Sequence, residues 1–195
     1  MTRAVTMSTQ PKTFITPEQY LEIDRKAEYK SEYLNGEMFA MSGGRAPHNI
    51  IGWNILGELR DQLRKRPCVA FTSDQRVAVA ATGLYTYPDV AALCGEPKFL
   101  DETQDTLLNP SLIVEVLSPS TEAYNRGRKF AHYQKIESLS EYLLVASEEM
   151  RADLFRRMPD GSWKLIWAEK PEDVLELNSI GCRLGMADIY EKVKL

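Results

Sequence analysis

The sequence predicts an α/β (α+β) fold, a mixed central β-sheet flanked by helices, and three observations carry that reading. Apolar residues recur at helical spacing from about Pro47 to Arg66, short apolar runs of strand length fill the middle of the chain, and a second helix-like stretch interrupts them after residue 120.

The elements follow in order. Thr16-Pro17-Glu18 is a helix start, with Thr16 as cap, Pro17 at the first helical position and an acid in the first turn, and the helix runs to about Arg25. Tyr33 to Met41 reads as two short strands turned by Asn35-Gly36. From Pro47 to Arg66, Ile51, Ile55, Leu56, Leu59 and Leu63 fall on one helix face. Strand-like runs follow at Val69–Thr72, Arg76–Ala80, Tyr87–Leu93 and Leu112–Leu117, with Gly95–Pro110 as a polar loop. A helix is predicted from Asn125 to Ile136, with Tyr133 and Ile136 facing inward, and Ser120 or Thr121 offers a hydroxyl to its free N–H groups. Glu141–Ala146, Ala152–Arg157 and Trp163–Trp167 are strands, the last two joined through Pro159-Asp160-Gly161-Ser162. Val174 to Leu195 forms a strand pair and a terminal helical turn. Residues 1–13 are polar and aperiodic, which predicts a flexible tail ahead of a single domain over 14–195.

With 195 residues, 44% hydrophobic and 27% charged, the chain is long enough to bury a substantial core. No apolar run has the length of a membrane span and the first dozen residues lack the apolar stretch of a signal peptide, so a cytoplasmic location is expected. Cys68, Cys94 and Cys182 are scattered and odd in number, which predicts reduced thiols and no structural zinc. A net charge of -4 argues against a protein that coats nucleic acid over its whole surface, since Lys and Arg contacts to phosphate dominate such binding. Two basic groups remain: Arg60, Arg64, Lys65 and Arg66, and Arg126, Arg128, Lys129 and Lys135. Charge runs of this kind are commonly solvated helix faces.

Asp89 and Glu115 stand out because each lies in an apolar run, and an unpaired carboxylate buried there is costly. If the two runs are neighbouring strands, the acids share one site and suit a hard divalent cation such as Mg²⁺, which is commonly held by one or two carboxylates plus substrate phosphates. That chemistry points to phosphodiester hydrolysis. Ser118-Pro119-Ser120-Thr121 has no base at nucleophile spacing, and Met41-Ser42-Gly43-Gly44 lacks the lysine and spacing of a P-loop, so neither supports a rival active site.

The order Pro88-Asp89, a gap, then Glu115 resembles the PD-(D/E)xK nuclease pattern, with Leu117 where that pattern has its lysine. Lys129, on the helix after the Glu115 strand, is the nearest ammonium to take its place. Further motifs are Lys30-Ser31-Glu32-Tyr33-Leu34-Asn35-Gly36-Glu37, a lone His48 opening a helix, Tyr87-Pro88-Asp89-Val90, and the block from Ile113 to Phe130 followed by Tyr133. On these, nearly the whole chain from Thr16 resembles the Uma family of restriction-endonuclease-like proteins, a domain of unknown function within the PD-(D/E)xK superfamily. The resemblance implies a restriction-endonuclease-like fold and a Mg²⁺-dependent DNA endonuclease, with Mn²⁺ able to substitute. Asp89 and Glu115 would ligate the metal and Lys129 would be the relocated catalytic lysine. Glu32 and His48 would complete the site, and Arg126, Arg128 and Lys135 would contact nucleic acid. Cutting both strands would suit a homodimer. The alternative is a non-catalytic nucleic-acid- or protein-binding module that keeps the nuclease fold, a reading that Leu117 and the acidic net charge favour.

Overall fold

The computed structural model describes residues 14–195, so the expected tail over 1–13 lies outside the described residues. Helix α1 (Pro17–Asp24) opens with a capping box: the Gln19 amide donates to the Thr16 hydroxyl, and the Gln19 side chain accepts from the Thr16 amide. Strands β1 (Ser31–Leu34) and β2 (Glu37–Ala40) form a hairpin. Its turn places Asn35 at φ 49° and Gly36 at φ 88°, the left-handed pair that a two-residue hairpin loop requires. Helix α2 (Ala46–Leu63) buries Ile51, Ile55, Leu59 and Leu63 along one stripe. Each such side chain contributes roughly 1.5–3 kcal/mol of burial.

The remaining strands are β3 (Cys68–Thr72), β4 (Arg76–Val79), β5 (Leu84–Thr86), β6 (Val90–Cys94), β7 (Thr106–Leu107), β8 (Leu112–Leu117), β9 (Glu141–Ala146), β10 (Ala152–Arg157), β11 (Trp163–Ala168), β12 (Val174–Leu177) and β13 (Cys182–Gly185). A six-stranded sheet runs β11-β10-β9-β8-β6-β3, in which only β8 and β9 pair in parallel. A five-stranded sheet runs β2-β1-β5-β4-β7, and β12 pairs with β13. The β8–β9 crossover is a short helical segment: α3 (Glu122–Tyr124), a π turn (Asn125–Lys129) and α4 (Phe130–Tyr133). Helix α5 (Met186–Ile189) follows β13.

The alternation of strand side chains fixes what each face of the larger sheet meets. Leu112, Val114 and Val116 of β8 pack with α2, β12, β13 and α5. Ile113 and Leu117 face the other way, into a cluster with Phe130 and Tyr133 of α4. Glu115 lies between these two on the α4 side.

Several expectations need correction. Strand β6 begins at Val90, not Tyr87, so Asp89 precedes the strand. The run Gly95–Pro110 contains β7, which pairs in parallel with β4, and β5 was not predicted as a strand. The predicted helix at Asn125 begins at Glu122 and carries a π turn. The Thr121 hydroxyl accepts from the Ser118 amide and caps no helical N–H group. Cys68 and Cys94 are not free thiols. The β3–β6 register sets them directly opposite, where their sulfurs are bonded, while Cys182 stays free and buried.

A buried polar knot ties α1 to β1, to β4 and to the segment that leads into β6. Asp24 accepts from the Arg76 guanidinium at 2.7 Å and from the Tyr87 hydroxyl at 2.5 Å, and the Asp24 and Arg76 side chains are 1% and 3% exposed. Asp24 also accepts from the Ser31 amide, tying α1 to β1. Removing one member of such a pair strands the other charge in the interior. Asp24→Ala is expected to lower unfolding stability by about 3–5 kcal/mol, whereas Asp74→Ala, which breaks an exposed pair with Lys30, is expected to cost no more than about 1 kcal/mol. Urea unfolding of both variants checks the contrast, and equal midpoints for the two would refute it.

Candidate active site

The antiparallel register pairs Val90 with Val114 and Ala91 with Ile113. One step further it sets Asp89 across from Glu115. The Asp89 Oδ2 atom accepts from the Val116 amide at 2.7 Å, which holds the carboxylate at the end of the ladder. Pro88 precedes it and has no N–H to give to a sheet, so the chain enters β6 only after Asp89. Tyr87, pinned by Asp24, fixes the approach.

Glu115 is 4% exposed and its Oε1 receives two donors. The Tyr133 hydroxyl donates at 2.8 Å and the Lys129 ammonium lies at 2.7 Å. Both contacts use Oε1, so Oε2 is the oxygen they leave unengaged. Lys129 Nζ also meets Glu32 Oε1 at 3.0 Å, and Glu32 in turn accepts from Thr86 at 2.5 Å and from Tyr124 at 3.3 Å. Glu32 comes from the five-stranded sheet and Glu115 from the six-stranded one, so Lys129 bridges the layers. His48, in the first turn of α2, places Nε2 3.5 Å from Asp89 Oδ1, while its buried Nδ1 has no partner among the described residues.

Leu117 faces the same side of β8 as Glu115 but is 3% exposed inside the α4 cluster. A lysine there would lie in the core. Lys129 and Tyr133 are four residues apart on the helical segment, hence on one face, and that face lies over Glu115. The π turn ends on Lys129, and the Tyr142 hydroxyl donates to the Asn125 carbonyl at its start. Turns of this type concentrate at functional sites.

Electrostatics follow from burial. Desolvation pushes the Glu115 carboxyl up to about 7; Lys129 opposes the shift and Asp89 reinforces it. Burial works against the Lys129 charge, but Glu115 and Glu32 outweigh it and hold the ammonium above its ordinary range. Burial, then the neighbouring Glu115, keeps the Tyr133 hydroxyl protonated and therefore a donor. The hydrogen bond to Asp89 raises His48.

Glu32, His48, Asp89, Glu115 and Lys129 all line one groove of about 1040 Å³. The three predicted nucleic-acid contacts do not line it. Arg126 is spent on Glu122 at 2.6 Å and on buried Asp153 at 2.5 Å, and Arg128 and Lys135 lie on the exposed surface outside the groove. In the second basic group, Arg64 pairs with Asp61 and Arg66 donates to the Gly181 carbonyl. Tyr133, Tyr124 and Thr86, which hold the two glutamates, were not anticipated as site residues. Tyr133 had an inward position in the helical pattern, but only the fold shows that it meets Glu115.

The donor set suits a hard cation. Glu32 and Glu115 meet the Lys129 ammonium and Asp89 stands across from Glu115, an acid excess made of oxygen ligands of the kind Mg²⁺ and Mn²⁺ prefer. Among the described residues no three acids, histidines or cysteines form a ready chelate. Asp89 and Glu115 therefore fit the arrangement in which protein supplies two carboxylates and the rest comes from water and phosphate. No helix among the described residues is long and apolar enough to cross a membrane.

Known proteins are similar to this chain over most of its length. The chain is 39% identical over 176 residues to the uncharacterized protein slr1290 of Synechocystis sp., covering 90% of this chain and 91% of that one. It is 36% identical over 151 residues to the uncharacterized protein sll1609 of the same organism, covering 77% and 85%. Among solved structures, a crystal structure from Anabaena variabilis described as "a putative nuclease belonging to DUF820" shares the fold, with a TM-score of 0.76 at 18% identity over 92% of this chain and 99% of that one. The family model Uma2, described as "Putative restriction endonuclease", matches residues 17–187, and the chain belongs to that family.

Proposed function

We propose that this protein is a metal-dependent endonuclease that hydrolyses phosphodiester bonds in DNA. The observation that carries the reading is the convergence of Asp89, just before β6, with Glu115 on the neighbouring strand β8, with the Lys129 ammonium 2.7 Å from Glu115, on the wall of an open groove. The family description and the nuclease-like neighbour support it.

Asp89 and Glu115 would hold a Mg²⁺ or Mn²⁺ ion. Such an ion, when bound, polarises a phosphate and lowers the pKa of a bound water. Lys129 places positive charge beside the same carboxylate, where it can meet charge that develops on the phosphoryl oxygens. Glu32 and Tyr133 fix that ammonium and the Glu115 carboxylate, so neither must reorganise when substrate arrives. His48 orients Asp89 from the α2 side. The Tyr124 hydroxyl and Thr86 hold Glu32 against the groove wall.

Three outcomes are expected. Asp89→Ala and Glu115→Gln should each abolish the heat of Mn²⁺ binding and lower metal-dependent cleavage by more than about 100-fold, with circular dichroism unchanged; cleavage at wild-type rate by both variants would overturn the assignment. If the wild type binds no cation in calorimetry, the non-catalytic binding module is the correct reading. Lys129→Met should lower kcat by about 100- to 1000-fold while Mn²⁺ still binds, and unchanged kcat would remove Lys129 from the chemistry.

The third outcome concerns pH. Cation binding needs ionised Glu115, so affinity should fall as pH drops below about 7. Stability without metal runs the opposite way. The folded carboxyl titrates at about 7 against an ordinary 4.5, so the folded state binds the extra proton between those values and Glu115 destabilises the fold progressively as pH rises across that window. Glu115→Gln should flatten both trends, and thermal melts with and without Mn²⁺ from pH 4.5 to 8 measure them. Parallel pH slopes in wild type and Glu115→Gln would contradict the account.

A further inference from the structure

Three large aromatic side chains stand exposed around the groove that holds the acids: Tyr29 is 63% exposed, Phe39 50% and Trp53 75%. They come from three separate elements, the segment before β1, strand β2 and helix α2. Burying such rings is worth much more than leaving them in water, and none is needed to complete the described core. Phe39 is the cross-strand partner of Glu32, so its ring lies on the same face of the hairpin as a carboxylate of the site. Lys30 and Arg45 line the same groove, and Arg45 has no ion pair among the described residues. The rim thus sets flat apolar rings beside cations, of which Lys30 is tied to Asp74 and the Ser73 carbonyl, and among the described residues Glu148 is the one groove carboxylate outside the reacting centre.

Resting on the nuclease reading above, we propose that the groove takes nucleic acid with unpaired bases, which stack on Trp53, Phe39 and Tyr29 while Arg45 meets the phosphates. A paired duplex hides its base faces inside the stack and offers only base edges and backbone. Exposed rings gain nothing from it. A single strand offers a π-face at every nucleotide, and stacking on aromatic side chains is tolerant of sequence. The substrate class is therefore single-stranded DNA, or DNA locally opened at the cleavage point. This also accounts for an acidic net charge in a nucleic-acid enzyme, since ring stacking supplies affinity that a fully electrostatic contact would draw from many more lysines and arginines.

The test is fluorescence anisotropy with the full chain in EDTA, where no cleavage occurs, using a short labelled oligothymidylate as probe and a duplex of the same length as competitor. The single strand is expected to bind at least roughly tenfold more tightly than the duplex, and Trp53→Ala and Phe39→Ala are each expected to weaken it by about 5- to 100-fold. Trp167→Ala, which removes an exposed tryptophan outside the groove, should leave binding unchanged. The proposal is overturned if the oligothymidylate does not bind, if the duplex competes equally, or if both groove variants bind like wild type. Mn²⁺ calorimetry on the same samples separates the two readings. Heat that depends on Glu115 without single-strand binding leaves the metal centre standing and removes the stacking groove. Ring-dependent binding without that heat does the reverse.

Discussion

The Lys129 ammonium, buried and shared by Glu115 and Glu32, is the contact around which the molecule is arranged. Each carboxylate belongs to a different sheet, so without a cation between them the layers would bring like charge together in a low-dielectric space. Tyr133, Thr86 and Tyr124 add hydrogen bonds that neither glutamate would otherwise have. A buried charge group is tolerable when it is paired and its remaining sites are satisfied, and the crossover segment supplies both the lysine and two of those three hydroxyls.

The same segment explains how the candidate site stands with Leu117 two residues after Glu115. Strand β8 is buried along its whole length because α4 covers one face and α2 the other. A side chain two residues after Glu115 therefore enters the core, where leucine fits and an unpaired ammonium does not. Moving the charge to the covering helix brings it to the carboxylate from above and leaves the strand apolar. The π turn at Asn125–Lys129 lies where that helix must present Lys129 and Tyr133 together.

Much of the architecture was legible because it follows from local rules. Thr16-Pro17-Glu18, Asn35-Gly36, the stripe from Ile51 to Leu63 and the apolar run of β8 each announce their element. The mixed sheet followed from those runs. Strands β5 and β7, at three and two residues, are too short for periodicity to show. The proximity of Asp89 and Glu115 was readable as a shared reason for two acids in apolar runs, but the network around them was not. Tyr133 reaches Glu115, and Arg126 reaches Asp153 across 27 positions, only after the sheet has formed. Cys68 and Cys94 carry no spacing signal, because their meeting is a product of the β3–β6 register.

The two halves of the site differ in how firmly they are held. Glu115 stands in β8, an interior strand of the six-stranded sheet, and Asp89 is tied to the Val116 amide at the end of the β6–β8 ladder, whereas Lys129 rides on a segment of a few short helical turns. Amide protons in central strands exchange only when most of the molecule opens, while short surface helices open locally at far lower free energy. The amine is therefore kept in place by its contacts to Glu115 and Glu32 and by the packing of Phe130 and Tyr133, not by a ladder of strand hydrogen bonds.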